Sequence, residues 1–397
     1  MIKVPILIWS LSRAVILSVS AISSFIIPHH DFSDILLHTE SALSFLIRWD
    51  AIYFYNIAKY GYFSDNMTAF FPFYPILIQI LMKYTFIPII TAGIIISNLA
   101  FLISSIILYK ITNKHFNQSY AIRSCILFCF SPCSILYSTM YTEALFCMFI
   151  LLAVESVLSH RGFSYIWVIL ASYTRSNGFI MSPLCFIDGF IKYSYTTGII
   201  MIIMPIMAFM SVQIYWFINR FPYITVLPYS YVQAEYWEQG FLQFYKHSKN
   251  IPNIIVGLPF VILSCIITYN YVINEKYILQ FMYNQGKERF LNIKQKIIQK
   301  ITVFPNKEDT KISKYPNIEV FSFVRLFLQC ILIFQIILSV FFIHMNMHFR
   351  FVSYNPVIYW ELSNIFKRRG VWNLLFFGYI CFGLSYAALY GAYFPPA

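Results

Sequence analysis

The chain has 397 residues, of which 59% are hydrophobic and 11% are charged, with a formal net charge of +12. A soluble domain carries roughly 25% charged residues and could not enclose this much apolar surface, so a water-soluble globule is excluded and the excess faces lipid. The basic residues fall mainly between apolar runs, where they act as topology anchors; a nucleic-acid partner is therefore not expected.

The first apolar run, about residues 5–27, exceeds the ~20 residues that a membrane crossing needs. Arg13 lies within it. A cleaved signal peptide is the alternative, but no convincing small-residue cleavage site is present, and a retained first helix is expected. A polar stretch follows, with Asp31, Asp34, Glu40, Asp50 and Asp65 against Arg48 and Lys59. Its segment 42–58 reads as a partly amphipathic helix lying on the membrane surface. Further apolar runs lie near 70–88, 91–109, 120–138, 141–158, 163–190, 198–218, 251–273, 321–343, 353–366 and 371–394. The fold class this predicts is an all-α polytopic membrane protein of ~10–12 membrane elements, some too short to cross alone. Residues 1–397 form one domain, with no soluble module and no tandem repeat.

Charge sets the expected sidedness. The connection 274–320 carries Lys276, Lys287, Arg289, Lys294, Lys296, Lys300, Lys307, Lys311 and Lys314, and Lys367, Arg368 and Arg369 mark a second basic turn. Both are expected in the cytoplasm, and the loops 28–70, 219–250 and 344–352 in the lumen. Between 70 and 190 the rule is satisfied if 163–190 is two half-helices broken at Thr174–Gly178 and one element between 70 and 109 fails to cross. Broken helices are tolerated where they line a polar cavity inside protein.

The eight cysteines lie in or beside apolar runs and form no CxxC pair, so neither a zinc site nor a disulfide framework is indicated. Cys125, Cys129 and Cys133 share a helix face and read as small packing residues.

Ionisable residues at a membrane are costly and are functional candidates by default. Four clusters stand out. Arg48-Trp49-Asp50, with Tyr53 and Ala69-Phe70-Phe71-Pro72, places a carboxylate beside an arginine and rings on which a sugar can stack; the plainer reading is an interfacial aromatic belt with an Arg48–Asp50 pair. Tyr141-Thr142-Glu143, after Ser131-Pro132, reads as a helix start with an early acid. Arg175 and Asn177, within Thr174-Arg175-Ser176-Asn177-Gly178, interrupt an apolar run. The guanidinium suits a lipid phosphate bidentately, or else it pairs with a protein carboxylate. The fourth cluster joins Tyr229, Gln233, Tyr236 and Trp237 to His344, His348 and Arg350, all potential donors or stacking surfaces for phosphate or sugar. His344 and His348 have the spacing of a metal pair, but no acid accompanies them, and no metal or cofactor is expected.

These stretches, RWDAIYFYNIAKYGY (48–62), AFFPFYP (69–75), SPCSILYSTMYTEALF (131–146), TRSNGF (174–179), PYSYVQAEYWEQGFLQFYK (228–246), KNIPNIIVGLP (249–259) and HMNMHFRF through NPVIYW (344–360), occur in the order of one family. The chain resembles GPI mannosyltransferase 2. The resemblance implies the C-type glycosyltransferase fold, an endoplasmic reticulum membrane location and a luminal active site. It implies dolichyl-phosphate mannose as donor, a GPI precursor glycolipid bearing one mannose as acceptor, and an α1,6 linkage made with inversion. An accessory membrane subunit is a further possible partner. It also puts the catalytic acid in the first luminal loop, where Asp50 is the first choice and Asp31, Asp34 and Glu40 are rivals. Arg175, His348 and Arg350 are then the cations for the leaving phosphate, with Arg48 orienting Asp50. The competing classes are another dolichyl-phosphate-sugar transferase, a transporter or scramblase of polyprenyl-linked sugars, and a non-catalytic membrane subunit.

Overall fold

The computed structural model describes residues 2–28, 41–275, 317–367 and 370–394. Asp31, Asp34, Glu40, nearly all of the basic 274–320 connection, Arg368 and Arg369 lie outside the described residues. In chain order the helices are α1 (Lys3–Ile26), α2 (Asp50–Tyr60), α3 (Phe73–Thr85), α4 (Ile89–His115), α5 (Gln118–Cys129), α6 (Glu143–Leu158), α7 (Ser164–Thr174) and α8 (Ser182–Lys192). They continue as α9 (Tyr195–Asn219), α10 (Pro228–Trp237), α11 (Ile251–Asn274), α12 (Asn317–Phe341), α13 (His348–Val352), α14 (Pro356–Ile365) and α15 (Val371–Gly391). No strand occurs among the described residues. Helices satisfy their backbone internally, which hydrocarbon demands.

Six of these helices are long and apolar enough to cross a bilayer: α1, α4, α9, α11, α12 and α15. The chain is a multi-pass membrane protein. The remaining apolar runs became short helices packed among the long ones. α14 has 10 residues, about 15 Å of helix, too short to cross. It is buried on nearly every side, and Val357, Ile358, Tyr359, Trp360 and Leu362 are all sealed in the core. α4, α5 and α6 surround the same core, where Phe101 packs against Phe128 and Tyr137 with centroids 5.0 and 4.8 Å apart.

One sequence expectation changes in detail and another is met. The stretch 42–58 is not one surface helix. Ser44–Leu46 is a 3-10 turn and the α-helix begins at Asp50. Ala51, Phe54, Tyr55 and Ala58 recur at helical spacing, so this face is buried, and α2 packs on α3 and α4. The run 163–190 does divide at Arg175, through a 3-10 turn at Ser176–Met181. Gly178 lets that turn lie flat on α7, since a Cβ there would stand 2.4 Å from the Ser172 amide nitrogen.

The arginine inside the first apolar run also finds its reason. Arg13 is buried and donates to the Ser134 and Cys129 carbonyls, each at 2.9 Å, and to Ser138 Oγ at 2.8 Å. It supplies donors to the carbonyls where one helix ends and the next turn begins.

Candidate functional site

Asp50 opens α2, and the far end of the chain fixes the residues before it. The Arg48 guanidinium lies 3.4 Å from the centroid of the Tyr393 ring and donates to the Ser44 carbonyl at 3.0 Å. Trp49 Nε1 donates to the Phe394 carbonyl at 3.0 Å and reaches that of Tyr393 at 3.2 Å. The Tyr141 hydroxyl donates to the Arg48 carbonyl at 3.1 Å. Trp49 has φ 54° and ψ −121°, a conformation that a bulky residue keeps only when its surroundings enforce it. Asp50 therefore leaves a strained, externally clamped turn.

Beyond it runs a chain of four alternating charges. Asp50 Oδ2 is 2.8 Å from Arg350 Nη2. Arg350 Nε donates to Glu143 Oε1, and the same oxygen is 2.7 Å from Arg175 Nη1. Arg175 also donates to Thr142 Oγ1 at 3.2 Å. The four side chains come from the start of α2, α13, the start of α6 and the α7–α8 break. Side-chain exposure is 27% for Asp50, 6% for Arg350, 2% for Glu143 and 19% for Arg175. The centre is buried and the two ends are reachable. Alternation of sign is what makes the buried centre tolerable, since an unpaired charge there would be prohibitive. Burial works against the charge of Arg350, but the Glu143 and Asp50 carboxylates outweigh it and hold the guanidinium well above its usual range. The ion pair on Asp50 thus comes from Arg350, while Arg48 is engaged by carbonyls and the Tyr393 ring. Both readings of Arg175 meet here: it has a protein carboxylate, and it stands at an open end.

A cavity of about 10 Å³ lies among Tyr137, Glu143, Phe146, Arg175, Asn177 and Arg350. That is about the space of one water. A sugar cannot enter it, so any sugar lies outside, at the exposed ends. Glu143 Oε2 and Asn177 Oδ1 are buried acceptors without a hydrogen-bond partner among the described residues.

Aromatic rings line the Asp50 end. Tyr53, one helical turn beyond Asp50, stacks on Phe70 with centroids 4.6 Å apart. Trp237 meets Phe70 edge-on at 6.0 Å, and Tyr236 lies 6.2 Å from Trp237. Tyr229 packs on Phe71 at 6.1 Å and its amide donates to Gln213 Oε1 at 2.9 Å. Burial pushes the Tyr229 hydroxyl up, while Ser176 and the Arg175 and Arg350 charges pull it down, so Tyr229 belongs to the same neighbourhood. Gln233 sits on the same helix, half-buried and outside these contacts.

The two histidines diverge. His348 is sealed, with Nε2 2.8 Å from Ser264 Oγ and Nδ1 2.9 Å from Ser339 Oγ. Burial pushes its pKa down to about 4. It is neutral at ordinary pH, which corrects the expectation that it serves as a phosphate-binding cation; it clamps α11 to α12. His344 Nε2 meets the Trp237 carbonyl at 2.9 Å and its ring packs 4.6 Å from Phe244, so it fastens the 228–250 segment. Among the described residues no cluster of three or more potential metal ligands occurs.

Sequence reasoning missed two features. One is the Tyr393–Phe394 clamp, which no local pattern announces. The other is a second ion cluster, Arg325 with Glu275 and Glu361, to which Asn270 Nδ2 adds a bond of 2.8 Å. Arg325 and Glu361 each lie inside an apolar run, and that signal was available.

A polytopic helical bundle that buries an alternating ion chain, leaving a carboxylate and a guanidinium open beside aromatic rings, has the equipment of a membrane-embedded sugar transferase. The sequence model of the family described as "Mannosyltransferase (PIG-V)" matches residues 7–221 and 208–380, and the chain belongs to this mannosyltransferase family. It is similar to GPI mannosyltransferase 2 of Schizosaccharomyces pombe, 26% identical over 388 residues, covering 88% of this chain and 73% of that protein. It is similar to GPI mannosyltransferase 2 of Drosophila pseudoobscura pseudoobscura, 25% identical over 343 residues, covering 66% and 75%. It is also similar to GPI alpha-1,6-mannosyltransferase 2 of Homo sapiens, 24% identical over 335 residues, covering 66% of each.

Proposed function

We propose that this chain transfers mannose from dolichyl-phosphate mannose to the first mannose of a GPI-anchor precursor, making an α1,6 linkage with inversion at the luminal face of the endoplasmic reticulum membrane. The names of its relatives supply the acceptor class. The observation that supports the chemistry is the ion chain with one carboxylate end and one guanidinium end.

An inverting transfer is a single displacement. The acceptor 6-hydroxyl attacks the anomeric carbon, the carbon–oxygen bond to phosphate breaks, and the hydroxyl proton needs a base. Asp50 takes that proton. Arg175 faces the phosphate, whose negative charge grows as it leaves. Arg350 holds Asp50 in place and keeps Glu143 compensated. Tyr53, Phe70 and Trp237 offer ring faces to the sugars. Asn177 and Tyr229 add polar contacts near the guanidinium. The whole chain acts as one domain, because the ion chain draws on elements from both of its ends.

The test supplies purified protein with radiolabelled dolichyl-phosphate mannose and a monomannosylated GPI precursor. A dimannosylated product cleaved by an α1,6-specific mannosidase is expected. Transfer only to a different acceptor would move the assignment, and translocation of the lipid without transfer would favour a carrier.

A further inference from the structure

We propose that the groove between α7 and α9 holds the polyisoprenoid tail of the sugar donor, so that donor and acceptor enter from opposite ends of the ion chain. The inference rests on the reading of a lipid-phosphate donor given above, and it assigns that donor a side.

The groove has a volume of about 630 Å³ and is lined by Ile169, Tyr173, Ile203, Met204, Met207 and Ala208. Sites for small ligands run roughly 300–1,000 Å³, whereas the space between the charges holds little more than a water. Its walls are apolar, and α9 is one of the six helices able to cross the bilayer. Met207 on its rim is 58% exposed, so the groove opens sideways rather than toward the core. Pro205 lies within α9 among the lining residues. It removes the amide that would bond the Met201 carbonyl, and such a position bends a helix away from its neighbour. Methionine side chains adapt to an irregular, methyl-branched chain better than stiff ones.

The end of the groove fixes the occupant. The Tyr173 and Ser211 hydroxyls share a hydrogen bond of 3.1 Å at its rim. Tyr173 is two residues before Arg175, at most about 7 Å of chain. The groove therefore runs from apolar residues to hydroxyls, and the chain at that end leads within two residues to Arg175. A polyprenyl phosphate has this order, because its phosphate is attached to the first isoprene unit through one oxygen. A glycerolipid places a glycerol and two esters between its tails and its phosphate. A phosphate at Arg175 puts the transferred sugar toward Arg350 and Asp50, and the acceptor then arrives at the Tyr53–Phe70–Trp237 rings.

Comparing two donors tests this: dolichyl-phosphate mannose and citronellyl-phosphate mannose, whose tail is two isoprene units. Met207→Trp fills the groove at an exposed position that tolerates bulk. The long-tail to short-tail ratio of kcat/KM is expected to fall at least tenfold in this variant, through KM of the long donor. A benzophenone side chain at position 204 is expected to crosslink to labelled dolichyl-phosphate mannose, with excess long-chain polyprenyl phosphate competing and citronellyl phosphate not. An unchanged ratio, or crosslinks to vesicle phospholipid alone, would overturn the proposal. A wild-type protein inactive with both donors would instead overturn the donor reading itself, and this proposal with it.

Discussion

Trp49 donates its indole hydrogen to the Phe394 carbonyl, 3.0 Å away, and so ties the turn ahead of the candidate base to the far end of the chain. That clamp helps enforce the φ of 54° at Trp49, and with it the aim of Asp50 at Arg350.

Loosening the clamp should therefore cost rate in the protein that still folds. Tyr393→Ala removes the ring under Arg48, a contact worth ~0.5–2 kcal/mol. Displacing a positioned group by about 1 Å costs ~10²-fold in rate. Single-turnover transfer by the folded fraction of Tyr393→Ala is expected to fall ~10–100-fold, with a lowered melting temperature because the ring is fully buried, while Tyr393→Phe keeps the ring, the stability and the rate. Full activity in Tyr393→Ala would show that the clamp does not position Asp50.

The charge on Asp50 is the next variable. Asp50→Asn keeps the shape and removes the proposed base, so the chemical step should drop ~10²–10⁴-fold. Donor affinity, measured by equilibrium binding of a non-transferable analogue, should hold, because the proposed mechanism sets Asp50 toward the acceptor. Near-normal turnover in Asp50→Asn would shift attention to Asp31, Asp34 or Glu40.

Much of this was legible in the sequence, and the gaps have physical causes. Length and apolarity disclosed the spanning helices, because lipid imposes a length on them. The break at Arg175 was legible because an arginine and a glycine have no business in an uninterrupted apolar helix. Asp50, Glu143, Arg175 and Arg350 were each visible as costly charges near the membrane. Their order along one chain was not, because pairing depends on tertiary placement that spacing does not encode. His348 was misjudged as a cation for the same reason: its neutrality comes from burial, which tertiary packing decides. The extent of α2 was misjudged because a helix between lipid and core has two apolar sides, which blurs its periodicity.

His348 gives a pH prediction. It lies on α13, outside the six spanning helices, and its pKa falls from 6.5 in the unfolded chain to about 4 in the fold. Above the unfolded value both states are neutral and nothing is lost. As pH falls from 6.5 toward 4, the unfolded chain binds a proton that the folded one refuses, and stability declines by an amount on the order of 3 kcal/mol. His348→Gln, which can still meet one serine, should flatten the drop in melting temperature between about pH 7 and pH 5. An equal drop in the variant would remove His348 as its source.

The two arginines of the ion chain should fail in different ways. Arg350 is 6% exposed and touches both carboxylates. Removing it takes one of two compensating guanidinium groups from the buried Glu143 and leaves Asp50 without its partner, and breaking a buried pair costs ~3–5 kcal/mol. Arg350→Ala should therefore lose most of its folded yield, and adding Glu143→Gln should restore yield without restoring transfer, since Asp50 still lacks its partner. Arg175 is 19% exposed at the open end, and a lysine there keeps a cation beside Glu143, so folded yield of Arg175→Lys should stay near wild type. Its effect should appear in the chemistry. Arg175→Lys keeps the charge but cannot form the bidentate fork, so donor affinity and single-turnover rate should fall together, because the phosphate gains charge as its bond breaks. If Arg175 serves only to hold Glu143, the reverse pattern follows: low yield, and a surviving folded fraction that binds donor and turns over normally. Folded yield, donor affinity and single-turnover rate measured on both variants separate the outcomes.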